Sequence, residues 1–312
     1  MADQHITVVV PTYKRPDGLS RAVRSLFDQA RRTIKVIDVI IVDNDPEHSA
    51  RDAMSTLREL APKGVNIIAL HEPRAGVSNA RNAAMDAVGS QLVAFLDDDQ
   101  SAESDWLEAL MQTHCATPAA VTFGPVITAL EDTVIRHRSY YSSFFARDPG
   151  HEEGYIEVSY GCGNSLLDLD LLPPLKPLFD PRANKSGGED DLLYAAVVRS
   201  GGKFAWSAEA RVAEHVPVSR STLRYTLARA FSFGQGPCTL ARRHSPPKIG
   251  SLLMWMGIGA GQFLVHGTFA AVLFVFRRES YALALDRAVR GLGKVFWFHG
   301  LDFYGSASQR DA

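Results

Sequence analysis

The chain has 312 residues, 46% hydrophobic and 22% charged, with a formal net charge of −2. These values describe a globular protein able to bury a large core and exclude the strongly basic balance of a nucleic-acid binder, so no nucleic-acid partner is expected. Cys115, Cys162 and Cys238 are far apart and form no CxxC pair, which argues for a reducing compartment and against a disulfide framework.

The opening "MADQHITVVVPTYKRP" lacks a basic region followed by an apolar core, so no signal peptide is expected and the catalytic part should stay in the cytoplasm. "HITVVVPTY" (5–13) reads as a buried strand stopped by Pro11. "DGLSRAVRSLFDQA" follows as an amphipathic helix. Strands are then expected at 36–44, 65–70 and 91–96, separated by helices at "SARDAMSTLREL" and 76–88. Continuous apolar strands alternating with helices mean a parallel α/β sheet covered on both faces. Ligands of such sheets bind beyond the carboxyl ends of the strands. Thr12-Tyr13-Lys14-Arg15, Asp43-Asn44-Asp45 and Asp97-Asp98-Asp99 stand at those ends and should converge.

Beyond about residue 118 the alternation loosens. "AAVTFGPVI", "YIEVSYGCGNSLLD" and "KFAWSAEARVAEHVP" read as strands, and "EDDLLYAAVVRSG" as a helix. "STLRYTLARAFSFG" reads as a basic amphipathic helix and "RRHSPPK" as a linker. Residues 249–276 carry no Asp, Glu, Lys or Arg, long enough to cross a hydrocarbon core of ~30 Å. This run reads as a spanning or re-entrant helix with Gly257 and Gly261 forming a GxxxG face, or as a hairpin of two shorter helices. The last stretch, around Leu285–Phe296, reads as an interfacial amphipathic helix.

Three adjacent carboxylates at a strand end are costly unless something offsets them. A hard divalent cation, Mg²⁺ or Mn²⁺, would do so; an exposed acidic cap for the following helix is the structural alternative. A second acidic group, Glu189, Asp190 and Asp191, follows Gly187-Gly188. Acids there complement a helix dipole, while the glycines would let backbone approach a ligand. Arg81 on the first turns of the helix after Gly76 would suit a diphosphate, or would simply be solvated.

"VVVPTYKRP", "IIVDN", "GVSNARNAAM", "VAFLDDD", "GCGNSLL" and "GGEDDLL" occur in an order that resembles family-2 glycosyltransferases over about residues 5–217. "FAWSAEARVAEHVP" followed by "RYTLARAFSFG", and "GLGKVFWFHGLDFYG" near the end, more narrowly resemble bacterial exopolysaccharide transferases of the succinoglycan type. The resemblance implies the GT-A fold, a Rossmann-like mixed sheet flanked by helices. It implies a catalytic domain at 1–218, with a nucleotide-binding half (1–100) and an acceptor-binding half (101–218), and a C-terminal membrane-associating helical region at 219–312.

The resemblance also implies roles. Pro11, Thr12, Tyr13 and Arg15 would line the nucleotide site; Tyr13 and Asp43 would read uracil; Arg81 would contact the nucleotide. Asp97 would lie near the ribose, Asp98 beside it, and Asp99 would bind the metal with Asp97 and His215 as further ligands. Asp190 would deprotonate the acceptor hydroxyl, with Glu189 contacting the acceptor. Many relatives read G-G-E-D-x-D; here Asp191 follows Asp190 directly, so either could be the base. A single displacement would move a sugar from a UDP-sugar, with inversion at C1, to a saccharide or lipid-linked oligosaccharide acceptor at the cytoplasmic face of the inner membrane. Two alternatives stand beside this reading. A sugar-1-phosphate nucleotidylyltransferase would need a glycine-rich opening loop that "VVVPTYKRP" lacks; an inactive membrane scaffold would not need intact acids at 97, 99 and 190.

Overall fold

The structure is a computed structural model and describes residues 4–30, 34–185, 187–243 and 246–299. His244 and Ser245 of the expected linker, Ser186 of the second acidic motif, and the stretch from Gly300 onward of the last motif lie outside the described residues.

The first elements are β1 (Gln4–Thr12), α1 (Pro16–Ser25), β2 (Ile34–Asp43), α2 (Arg51–Leu60), β3 (Val65–His71), α3 (Val77–Met85), β4 (Leu92–Phe95), β5 (Gln100–Ala102) and α4 (Trp106–Ala116). They continue with β6 (Val121–Phe123), β7 (Val126–Leu130), α5 (Arg138–Phe145), β8 (Gly154–Ile156), β9 (Ser165–Asp168), a 3₁₀ turn (Pro181–Lys185), α6 (Glu189–Arg199), β10 (Phe204–Trp206), β11 (Val212–Val216), α7 (Leu223–Arg243), α8 (Ile249–Val275) and α9 (Tyr281–Val295). The strands and helices expected up to residue 96 all form, displaced at their ends by a few residues.

An eight-stranded sheet has the order β3-β2-β1-β4-β9-β6-β10-β8. β1 pairs parallel with β2 and β4, and β2 with β3, so their carboxyl ends share one edge. β9 runs antiparallel between β4 and β6, which makes the sheet mixed. The uninterrupted apolar strands follow from burial on both faces. Ile6, Val8 and Val10 of β1 enter one core with Leu19, Met54 and Leu107; Val9 points into the other with Ala80, Phe95 and Leu193. A smaller sheet pairs β5 antiparallel with β11.

Two expected strands do not exist as single elements. Residues 119–127 break at Gly124-Pro125 into β6 and β7. A side chain at 124 would collide with the Ala210 carbonyl, so only glycine passes there. Residues 155–168 break into β8 and β9 around the "GCGNS" loop, in which Asn164 takes a left-handed φ of 63° and hydrogen-bonds Trp106 Nε1, Pro125 O and Ala210 O.

The chain separates into two compact units, 1–127 with 146–215, and 128–145 with 216–311. Residues 128–145, expected in the acceptor half, therefore group with the C-terminal region. In that second unit one face of α9 packs against its own unit. Ala282, Ala288, Gly291 and Gly293 are buried, and Asp286 is buried against Arg290 Nε at 2.7 Å and Tyr140 Oη at 3.3 Å. The 249–276 run forms one helix rather than a hairpin. Its packing glycine is Gly259, where a Cβ would meet the Gly291 carbonyl at 2.6 Å; at Gly257 and Gly261 nothing among the described residues lies within reach of a Cβ. The expected GxxxG face thus points away from the helix's intrachain neighbours.

Candidate active site

The site is built on the carboxyl edge of β1, β2 and β4, as doubly wound topology requires. Each polar cluster is held by a distinct set of bonds. Asp98, directly beyond β4, is buried and accepts from Thr12 Oγ1 at 2.8 Å, Tyr13 N–H at 3.4 Å and Arg15 Nη1 at 3.2 Å. Arg15 Nη1 also donates to Asp99 Oδ2 at 3.0 Å. Burial, opposed by Arg15 and reinforced by Asp99, pushes the Asp98 carboxyl up to about 6. Gly18 packs under the triplet: a side chain there would strike the Asp98 carbonyl at 2.6 Å.

The β2 cluster does something different. Asp43 is fully buried, and its carboxylate accepts Asp45 N–H at 3.0 Å and Ala50 N–H at 2.8 Å. It therefore shapes the loop into α2, and the base-reading contact implied by the resemblance is not open to it in this conformation. Asn44 spans from β2 to the loop before α3, donating to the carbonyls of Glu72 and Arg74 and accepting Gly76 N–H at 2.7 Å. The three clusters converge: Thr12 and Arg15 of the first donate to the carboxylates of the third, and Asn44 N–H of the second donates to Thr12 O at 2.9 Å.

Arg81 is the pivot between the halves of the site. Its side chain is 6% exposed; Nη1 donates to Glu189 Oε1 and Nη2 lies 3.7 Å from Asp97 Oδ1. The guanidinium sits 5.5 Å from the Phe179 ring centroid and 5.9 Å from that of Phe95. Burial opposes its charge, yet the surrounding Cys162, Asp97, Glu189 and Asp190 hold it protonated above its ordinary value. The amino end of α3 is closed: Ser78 N–H donates to Asn184 Oδ1 at 2.9 Å and Ser78 Oγ to Asp180 O at 3.0 Å. The expected diphosphate seat on that helix end is thus taken by the 3₁₀ turn.

Gly187 and Gly188 both have left-handed φ, 70° and 82°, which turns the chain into α6. The first turn then separates its three acids. Glu189 faces inward to Arg81, and burial, only partly opposed by Arg81, raises its carboxyl. Asp190 accepts Cys162 N–H at 3.2 Å and Asp191 N–H at 2.9 Å. Asp191 is exposed, and burial of part of its carboxyl followed by repulsion from Asp190 raises it. Asp97 feels burial first, then Arg81, Asp99, Arg147 and Asp190, and is raised in balance. Arg81, Asp97, Glu189 and Asp190 thus form one cluster of opposed charges.

Arg147, which the sequence does not distinguish from any loop arginine, belongs to the same group. Its Nη2 donates to Gly163 O at 3.3 Å. No spacing or motif pointed to it, since it reaches the cleft only through the fold. Cys162 is buried beside these acids, and its thiol is pushed up to about 11, which leaves it a packed neutral group.

Carboxylates outnumber guanidinium groups around this cleft. Asp97 and Asp99 keep 35% and 24% of their side chains accessible and offer hard oxygen donors. Excess negative charge and hard donors suit a divalent cation. His215 is less engaged with the triplet than expected. Its Nε2 bonds Ser101 Oγ at 2.8 Å, its backbone N–H donates to Asp99 O at 2.7 Å, and burial followed by Arg21 lowers its pKa. Among the described residues no group of three His, Cys, Asp or Glu side chains gathers as a ready-made metal cage. In this structure Arg15 and Arg81 offset the triplet instead.

Comparison with known proteins agrees with this geometry. Residues 7–172 match the family described as "Glycosyl transferase family 2". The chain is 36% identical over 231 residues to the succinoglycan biosynthesis protein ExoM of Rhizobium meliloti, covering 74% of this chain and 73% of that protein. It is 29% identical to the pre-mycofactocin glycosyltransferase of Mycobacterium tuberculosis over 86% of this chain and 56% of that protein. Among solved structures, mannosyltransferase PcManGT from Pyrobaculum calidifontis, in complex with GDP-Man and Mn²⁺, has a TM-score of 0.58 at 16% identity, covering 95% of this chain and 88% of that one. S. aureus TarS 1–349 in complex with UDP has a TM-score of 0.52 at 15% identity, covering 93% and 90%. These two share the GT-A fold with this chain. A nucleotidylyltransferase does not account for that family match, and the chain belongs to glycosyltransferase family 2.

Proposed function

We propose that the chain transfers a hexose from a UDP-sugar, with inversion at C1, to a hydroxyl of a growing lipid-linked polysaccharide at the cytoplasmic face of the plasma membrane. The observation that carries this reading is Asp190. It stands on the first turn of α6, oriented by the Cys162 N–H, in the same cluster of charges as Asp97 and Arg81. A carboxylate so placed suits removal of the acceptor proton as the oxygen attacks C1. Asp191 is exposed and donates its backbone N–H to Asp190, which supports Asp190 as the base of the two.

Pro11, Thr12, Tyr13 and Arg15 would form the nucleotide wall, with Asp98 holding that loop in place through its bonds to Thr12, Tyr13 and Arg15. Asp97 and Asp99 would hold Mg²⁺ or Mn²⁺. When bound, the cation would neutralise charge on the diphosphate.

The second unit supports membrane association. α8 is long and apolar enough to cross a bilayer, and its outward face is bare: Leu264 is 66% and Val275 75% exposed. An apolar surface of this extent on a monomer is normally covered. The deciding assay supplies a panel of UDP-hexoses and membrane-extracted lipid acceptor to the full chain, with linkage analysis of the product. Asp190→Asn should keep UDP affinity and lose about two to four orders of magnitude of turnover. Undiminished transfer by Asp190→Asn would overturn the assignment.

A further inference from the structure

We propose that Arg147 binds the diphosphate of the donor and stabilises the charge that gathers there as the sugar departs. This rests on the nucleotide-sugar reading above. The arginine's stem is fixed: its backbone exchanges two hydrogen bonds with Val126, at 2.9 and 3.1 Å. Its side chain then lies against the "GCGNS" loop. Nη2 donates to Gly163 O, and Nη1 sits so close to Gly161 that any Cβ there would collide with it. A Cβ at Gly163 would likewise collide with the Asp97 carboxylate. The two glycines are what allow Arg147 and Asp97 to approach this loop. Asp190 borders the same spot, its Oδ2 lying 3.7 Å from where a Gly161 Cβ would stand. The guanidinium thus stands beside both Asp97 and Asp190, where the bond to the leaving group must lie if Asp190 faces the acceptor.

The other two arginines of the cleft are committed. Arg15 is paired with Asp98 and Asp99, and Arg81 with Glu189 and Asp97. Among the described residues Arg147 forms no ion pair, though its charge acts on Asp97. A guanidinium has five N–H donors in a planar fork that matches two phosphate oxygens. In the transfer step a bond forms between the acceptor oxygen and C1, and the bond from C1 to the β-phosphate oxygen breaks. That electron pair stays on the β-phosphate, where Arg147 would meet it, and the hydroxyl proton goes to Asp190. Preorganised donors aimed at developing charge act more strongly on the transition state than on the substrate.

The test is titration calorimetry of the full chain and its Arg147→Ala and Arg147→Lys variants with UDP and with UMP, alongside turnover of the UDP-sugar. Wild type should bind UDP more tightly than UMP. Arg147→Ala should weaken UDP by about tenfold to a hundredfold and leave UMP within about threefold; Arg147→Lys should recover part of the loss. Turnover should fall further than UDP affinity does. Equal weakening of UDP and UMP, or unchanged UDP binding in Arg147→Ala, overturns the assignment while leaving the donor reading intact. Failure of the wild-type chain to bind UDP overturns the donor reading and this assignment with it.

Discussion

Arg81 on α3 donates through Nη1 to Glu189 on α6, tying together two helices whose sequences lie 108 residues apart. Both side chains are more than nine-tenths buried. Removing one partner of such a pair strands a buried charge and costs about 3–5 kcal/mol, whereas replacing both by apolar groups is far milder. Glu189→Leu should therefore lower the melting temperature sharply, and adding Arg81→Met should restore much of it. Thermal melts of the two single variants and the double variant check this. Additive losses would show that the two residues act separately.

The acidic triplet should be the seat of cation dependence. Asp99→Ala should remove the enhancement of UDP binding by Mn²⁺ while leaving the melting temperature in EDTA close to wild type. Calorimetry with and without EDTA reads this directly, and an undiminished Mn²⁺ response in the variant contradicts it.

Asp98 predicts a pH effect with a definite sign. Its folded pKa, about 6, lies above the ordinary 3.8, so the folded state holds a proton more tightly than the unfolded state. Its contribution favours folding most at low pH and is lost as pH rises from about 4 through 6, by at most about 3 kcal/mol. With chelator present, the melting temperature of wild type minus that of Asp98→Asn should become more positive as pH falls from about 7 to 5. A flat difference over that window contradicts the buried placement of this carboxyl.

In the second unit Gly291 and Gly257 should behave in opposite ways. A Cβ at Gly291 meets the Gly259 carbonyl at 2.5 Å and the Phe263 backbone nitrogen at 2.8 Å, so Gly291→Val should split α8 from α9 and destabilise the unit. Gly257→Ala meets nothing within 4 Å and should stabilise α8 by up to about 1 kcal/mol. Melting in mild detergent separates the two.

The bare face of α8 predicts that the full chain sediments with membranes and resists extraction by high salt. Truncation before α8 would be a poor test, because it also removes Asp286 and Ala282, which cover Tyr140 and Tyr141. A Leu264→Glu, Val265→Glu chain keeps α9 and should shift toward the supernatant. Unchanged sedimentation of that variant would point to another surface.

The nucleotide half was legible because each of its strands is continuous in sequence, and burial on both faces leaves a plain apolar run. The same topology places Thr12, Arg15 and the Asp triplet at one edge, so their convergence followed from chain order. Short strands beyond residue 118 were not legible, since three or four residues carry too little periodicity to show a break at Gly124 or within the "GCGNS" loop. Composition identified a hydrophobic tail, but not which glycine packs: Gly257, Gly259 and Gly261 read alike until α9 covers one of them.

Residue type and short-range order dictate which side chains can carry charge to the cleft and which strands present them, so both are readable from the chain alone. How those charges pair emerges from the folded packing. Asp43 turned inward to backbone amides, Arg81 became a buried link to Glu189, the amino end of α3 was capped by Asn184, and Arg147 arrived from a distant loop. Ion pairs and hydrogen bonds act over a few ångströms between residues as many as 108 positions apart, and no local pattern records such distances.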